Sequence, residues 1–295
     1  MGLVVSTPEI ELFRRDGFAS LRRICGLEEI AEIRRVLEDL YSRKVGVKEG
    51  AQFDVLKPYD SEAVTLGQLT NPSNFAPALK KTSLFRKAHE IAHQILGPKA
   101  FCSADFVLVK PPLQGATTPW HQDQAYGKLD YDFDQLTLWL PLQNVDENSG
   151  CLQFVPGTHM GPIRPHRSAN NDSKAHSLES CSIPSPEEIV SVPLALGDCS
   201  IHDGRVLHGS PSNRSPVARY AYILVFRNPT VPPPDAFPYP WVEQRHDVIA
   251  ERRNAWFRHG GFLVLLWRKF REGDFSDTSR VRLTLREALV RMQKK

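Results

Sequence analysis

The sequence predicts a mainly β fold with flanking helices: an antiparallel sandwich or barrel in the middle of the chain, helical at both ends. Three observations predict it. The first hundred residues carry apolar side chains at helical spacing. From about residue 100 to 228 the texture changes to short runs rich in Val, Leu, Ile and Phe, separated by Pro, Gly and Asn. After a proline-rich bend (Pro229, Pro232, Pro233, Pro234, Pro238, Pro240) the chain reads as helical again.

The elements follow in order. Thr7 is the expected N-cap of a first helix, with Pro8 at its first position and Asp16-Gly17 at its end. A second helix starts near Gly26 and carries Ile30, Ile33, Val36, Leu37 and Leu40 on one face. Residues 44–75 read as irregular, with Gly46, Gly50, Pro58, Gly67 and Pro72. A third helical region covers about 76–96 and stops at Gly97-Pro98. Strands are predicted at 101–109, 136–142, 151–155, 190–194, 199–202 and 217–227. Two connections are long, 124–134 and 157–188, as lids and binding loops often are. The whole is one domain: a helical preface to about residue 98, a β core at 99–228 and a helical extension at 229–295.

Composition excludes several classes. With 295 residues, 41% hydrophobic and 24% charged, the chain can bury a substantial core. A net charge of +3 and the lack of a basic arm give no indication of nucleic acid. The start, MGLVVSTPEIELFRRDGF, does not read as a signal peptide. The most apolar run, Phe262 to Trp267, is far shorter than the roughly 20 residues of a membrane span. Five scattered cysteines with no C-x-x-C point to reduced thiols in a cytoplasmic setting. The expected partner is a small-molecule substrate, with a homodimer left open. In residues 259–295, nine Lys/Arg stand against four Asp/Glu, which reads first as a solvated face and second as an anion-attracting surface.

The segment TTPWHQDQAY, 117–126, holds His121 and Asp123 two apart. If 119–124 is a strand, both side chains project to one face. One further histidine would complete a 2-His-1-carboxylate set, which holds Fe(II) on one side and leaves positions open for co-substrate and O2. Candidates are His159, His166, His176, His202 and His208. The first three lie in or at the start of a long loop, a poor support for a fixed ligand. His202 and His208 lie close to predicted strands, and LGDCSIHDGRVLHGSPSNRSPVAR, 196–219, favours His208. It is followed by Gly209-Ser210, and Arg219 comes eleven residues later on the next strand. An arginine facing a metal pocket can grip a carboxylate through two parallel hydrogen bonds.

With WHQD at 120–123, LTLWLPLQNVDENSGCLQFVPGTH at 136–159 and the 196–219 run in this order, the middle of the chain resembles the phytanoyl-CoA dioxygenase family of Fe(II)/2-oxoglutarate-dependent oxygenases. The resemblance implies a double-stranded β-helix core (jelly-roll, cupin-like) with helical N- and C-terminal segments packed on it. It implies His121, Asp123 and His208 as both iron ligands and catalytic centre. Arg219 would bind the distal carboxylate of 2-oxoglutarate, with Ser210 alongside and Trp139 beside the co-substrate. Lys110 and Gln122 are candidates for a further polar contact. Retention of Asp123 favours hydroxylation over halogenation, which family members lacking that carboxylate perform. The implied reaction consumes O2 and 2-oxoglutarate, releases succinate and CO2, and hydroxylates an unactivated C–H bond. The substrate is expected to be a partly apolar small molecule, either a natural-product intermediate or an acyl-CoA whose phosphates meet Arg280 and Arg282.

Duller readings stand beside these. His121 and Asp123 would otherwise be a surface pair, and Arg219 an outward strand residue. His202 reads as a buried structural histidine, or as a group behind the ligands. Tyr126, Tyr131 and Phe133 either cover the pocket or pack the sheet. Two rival functions are a non-catalytic member of the fold that binds 2-oxoglutarate or metal, and a cupin-like metalloenzyme that does not use 2-oxoglutarate.

Overall fold

The computed structural model describes residues 4–57, 64–113, 115–129, 131, 133–231, 233, 236–244 and 256. The basic C-terminal stretch, with Arg280 and Arg282, lies outside the described residues, as does most of the expected C-terminal helical extension.

Three helices precede the core: α1 (Thr7–Asp16), α2 (Leu27–Ser42) and α3 (Ser83–Leu96). Ser6, one residue before the expected cap, is the N-cap of α1, and its N–H donates to the Glu9 carboxylate at 2.7 Å. Gly17 ends that helix at φ 86°, a left-handed turn that favours glycine. α3 starts at Ser83, later than expected, because Thr82 caps it by accepting from the Phe85 N–H.

The strands are β1 (Phe18–Leu21), β2 (Gln52–Asp54), β3 (Gly67–Thr70), β4 (Phe101–Lys110), β5 (Thr118–His121), β6 (Gln135–Pro141), β7 (Leu152–Val155), β8 (His166–Ser168), β9 (Leu178–Ser180), β10 (Val190–Val192), β11 (Cys199–Asp203), β12 (Leu207–Ser210) and β13 (Arg219–Arg227). One sheet has seven strands in the order β1-β11-β6-β13-β4-β3-β2, the other four in the order β10-β7-β12-β5. β8 and β9 form a separate ribbon. Each pairing is antiparallel.

The period of two along each strand decides which residues reach the site. Leu136, Leu138 and Leu140 of β6, Tyr222, Leu224 and Phe226 of β13, and Val107 and Val109 of β4 join the cluster formed with the buried faces of α2 and α3. Their alternates, among them Trp139, Ala221, Ile223, Phe106, Leu108 and Val225, pack instead in the second cluster with Leu152 and Phe154 of the four-stranded sheet. The helices thus cover the outer face of the large sheet, and the inner faces of the two sheets meet.

The first hundred residues supply more than helices. β1 pairs with β11, and β2 and β3 extend the seven-stranded sheet past β4. Residues 44–75, expected to be irregular, therefore form one end of the inner face.

Candidate active site between the sheets

β5 ends at His121, and Gln122 continues extended at φ −114°, ψ 128°. Asp123 then opens a 3-10 turn, Asp123–Tyr126, so the strand is shorter than the expected 119–124. The extended Gln122 preserves the alternation, and His121 and Asp123 still face the same way.

His208 on β12 is the direct cross-strand partner of His121. Both imidazoles are oriented by backbone carbonyls. His121 Nδ1 lies 2.8 Å from Pro119 O, and His208 Nδ1 lies 3.0 Å from Val206 O. Each Nδ1 therefore carries the proton, and each Nε2 keeps its lone pair. Asp123 Oδ1 lies 3.5 Å from His121 Nε2 and 3.7 Å from His208 Nε2. One donor atom from each of the three residues falls within 4.8 Å of the others.

The electrostatics suit a cation. Burial alone would raise the Asp123 carboxyl, but the imidazoles of His121, His202 and His208 outweigh it and hold it well below the usual range. Burial, then the proximity of His121 and His202, pushes His208 well below the ordinary histidine value. A carboxylate and a neutral imidazole are the states in which such side chains bind metal.

Arg219, at the start of β13, is only 1% exposed. Its Nε and Nη1 have no hydrogen-bond partner, and its guanidinium lies 5.5 Å from the centre of the Trp139 ring. Burial lowers its pKa to about 10, so it remains a cation at neutral pH. Ser210 Oγ accepts from Lys110 Nζ at 2.7 Å and donates to Thr118 Oγ1 at 3.0 Å. Lys110 Nζ also donates to Ser210 O and Pro211 O. Gly150 sits at φ 83° with the place of a Cβ 2.8 Å from Pro211 O, so a side chain there would push on the carbonyl that receives Lys110.

A cavity of about 590 Å³ joins these groups. His121, Asp123, His208, Ser210, Arg219 and Trp139 all line it. Its far wall is Gln68 and Thr70 of β3, with Asn71, Phe106 and Leu108. Sequence reasoning missed Gln68, Thr70 and Asn71 because it read 44–75 as irregular.

Other expectations fare differently. Gln122 turns away from the cavity: its amide meets Arg205 O and the Arg164 N–H, so it makes no pocket contact. Among the three loop aromatics, Tyr126 lines the cavity and accepts from the Leu178 N–H at 2.8 Å. Tyr131 and Phe133 pack against each other at a tilt instead, ring centres 5.2 Å apart. His166, set aside as a loop residue, is buried and accepts from the Gln122 N–H, while His176 reaches the cavity wall. His202 lies inside the site, 3.5 Å from Asp123 Oδ2.

The family model for "Phytanoyl-CoA dioxygenase (PhyH)" matches residues 13–221, which include His121, Asp123, Trp139, His208, Ser210 and Arg219. The chain belongs to the phytanoyl-CoA dioxygenase family. Its fold is the jelly-roll of that family, and its activity class is the Fe(II)- and 2-oxoglutarate-dependent dioxygenases. A probable alpha-ketoglutarate-dependent hypophosphite dioxygenase of Stutzerimonas stutzeri is 26% identical over 211 residues, covering 69% of this chain and 72% of that protein. Peroxisomal phytanoyl-CoA dioxygenase of Rattus norvegicus is 29% identical over 126 residues, 40% of this chain and 37% of the rat protein. Among solved structures, EvdO2 from Micromonospora carbonacea var. aurantiaca, complexed with 2-oxoglutarate, is 30% identical with a TM-score of 0.69, over 82% of this chain and 99% of that one. Among the described residues no helix is long and apolar enough to cross a membrane.

Proposed function

We propose that His121, Asp123 and His208 hold Fe(II), and that Arg219 takes the distal carboxylate of 2-oxoglutarate, for hydroxylation of a C–H bond in a neutral, partly apolar small molecule. The observation that carries this reading is Arg219: a buried guanidinium with unpartnered Nε and Nη1, lining the same cavity as three converging metal donors. The donor set fits the metal, with two lone-pair nitrogens and one carboxylate oxygen of a type suited to Fe(II). Bound there with 2-oxoglutarate and O2, the iron supplies oxidative decarboxylation to succinate and CO2 and the oxidising power for the C–H bond.

The protein's own share is placement. Pro119 O and Val206 O fix the two imidazole rings. Arg219 offers its unpartnered N–H groups to the far carboxylate, and Trp139 forms a flat wall under the guanidinium. Ser210, held by Lys110, lines the same cavity from the four-stranded sheet and offers a hydroxyl contact. The helices and the 166–180 ribbon belong to one catalytic domain with the jelly-roll, since β1, β2 and β3 continue its larger sheet.

The lining supports a neutral substrate. Among the described lining residues, histidines aside, the charged side chains are Asp123 and Arg219, both already assigned. Gln68, Thr70, Asn71 and Ser177 offer neutral hydrogen bonds, and Val55, Leu66, Phe106 and Leu108 an apolar surface. Among the described residues, the phosphates of an acyl-CoA find no further Lys or Arg in the lining. This favours a free, hydroxyl- or amide-bearing molecule of natural-product type.

The test is anaerobic. Fe(II) and 2-oxoglutarate are added to apo-protein, and the weak visible charge-transfer band of the chelate is followed. A band lost in His208→Ala, and needing far more 2-oxoglutarate in Arg219→Ala, supports the reading. No band in folded, iron-loaded wild type overturns it in favour of a cupin-like enzyme that does not use 2-oxoglutarate.

A further inference from the structure

The Asp123 carboxylate spans the seam between the sheets. Its Oδ1 faces His121 and His208, both on the four-stranded sheet. Its Oδ2 faces the seven-stranded sheet, where Thr137 Oγ1 donates at 2.8 Å and Gln135 Nε2 at 3.3 Å. Thr137 of β6 is the register partner of His202 on β11, so both side chains leave the same face. His202 Nε2 is 3.5 Å from that same Oδ2.

His202 is 2% exposed, and neither ring nitrogen has a hydrogen-bond partner. Its ring packs against Phe154, 5.4 Å away, and His208, 4.5 Å away. Packing of that kind is available to any aromatic ring, and a purely structural role would leave two buried polar atoms without return. The charged acceptor within reach of Nε2 is Asp123 Oδ2, slightly beyond ordinary hydrogen-bond length.

We propose that His202 is a positioning residue for the metal carboxylate: with Thr137 and Gln135 it engages Asp123 Oδ2, so that Asp123 meets the metal through Oδ1 alone. This inference rests on the reading of Asp123 as a metal ligand. Three donors on one oxygen leave the other as the free lone-pair donor and fix the plane of the carboxylate. The open side of the metal, which co-substrate and O2 must reach, is then not closed by a second carboxylate oxygen.

The test uses full-length apo-protein and Co(II) as the probe, read by its visible absorption bands without turnover. The variants are His202→Phe, which keeps the ring packing, His202→Gln, which keeps a donor, and Asp123→Ala. The expected result for His202→Phe is Co(II) binding weakened about 10- to 100-fold, the usual effect of losing a group behind a ligand, with altered band positions and an undiminished melting temperature of the metal-free protein. His202→Gln restores the wild-type bands. Wild-type affinity and bands in His202→Phe, or lowered metal-free stability as its sole effect, overturn the proposal. If His202→Phe fails to fold, His202→Asn, too short to reach Oδ2, takes its place against His202→Gln with the same criteria. Equal Co(II) binding by Asp123→Ala and wild type removes the ligand assignment itself, and the role of His202 with it.

Discussion

Lys110 and Arg219 stand directly opposite each other in the β4–β13 ladder, two buried cations on one face of the sheet. No carboxylate pairs with either among the described residues. Their situations differ. The Lys110 ammonium is met by Ser210 O, Ser210 Oγ and Pro211 O, whereas Arg219 keeps Nε and Nη1 unpartnered. Burial, then the charge of Arg219, pushes Lys110 well below its ordinary pKa. A carboxylate held by Arg219, as proposed, would partner its free N–H groups and offset the charge that acts on Lys110.

Replacing Arg219 by Ala is therefore expected to raise the 2-oxoglutarate concentration needed for half-saturation about 10- to 100-fold, the loss of a charged hydrogen bond worth about 1.5–3 kcal/mol. Arg219→Lys recovers part of this, since an ammonium cannot reproduce the planar fork. Anaerobic titration of the visible band measures both. An unchanged titration in Arg219→Ala would mean that the carboxylate binds elsewhere.

Ser210→Ala removes one of the acceptors of Lys110 and leaves a buried donor without it. A loss of about 1–3 kcal/mol in stability is expected, read from the urea midpoint of the metal-free protein. Metal affinity should hold, because Ser210 is no part of the His121–Asp123–His208 group.

His166 sets a pH limit. Burial lowers its pKa to about 4, from an unfolded value near 6.5. The unfolded chain takes up the proton first as the solution is acidified. Its contribution to stability is thus complete above about pH 6.5 and is lost as pH falls towards 4, on the order of 3 kcal/mol in all. His166→Asn should flatten this part of the stability-versus-pH curve. A curve as steep in the variant as in wild type would assign the acid loss to other groups.

Trp241 ties a C-terminal segment to the ligand turn. Its Nε1 donates to Ala125 O at 2.9 Å, and Leu129 N donates to Phe237 O at 2.7 Å. Trp241→Phe keeps the stacking with Tyr239 and loses the N–H. Faster amide exchange across 123–127 is expected, with a stability loss of about 1 kcal/mol. Exchange unchanged there would show the turn to be held from the other side alone.

Much of this was readable in the residues. β4, β6, β11 and β13 are long or strongly apolar, so alternation betrays them. The short elements were not: β2 has three residues and β3 begins on a glycine, and tertiary pairing makes both strands. That is why Gln68 and Thr70 were missed, although His121, Asp123, His208 and Arg219 were named from the sequence. His202, read as a buried structural histidine or a group behind the ligands, is buried and lines the cavity. Its part in the site comes from the register that sets it beside Thr137, a long-range relation that no local spacing encodes. His166 stays outside the converging donor group, as expected, but the long connection that carries it is no loose loop: β8 and β9 pair and bury it.

The seam between the sheets also separates the two imidazoles from the cavity lining supplied by β3 and β4. Both imidazoles stand on the four-stranded sheet, while Gln68, Thr70, Phe106 and Leu108 stand on β3 and β4 at the other side of the cavity. A designer can rewrite that wall with both imidazoles left on their strands, and a natural lineage can do the same by drift. On the proposed reading, substrate choice and oxidative power would be separate inheritances in this chain.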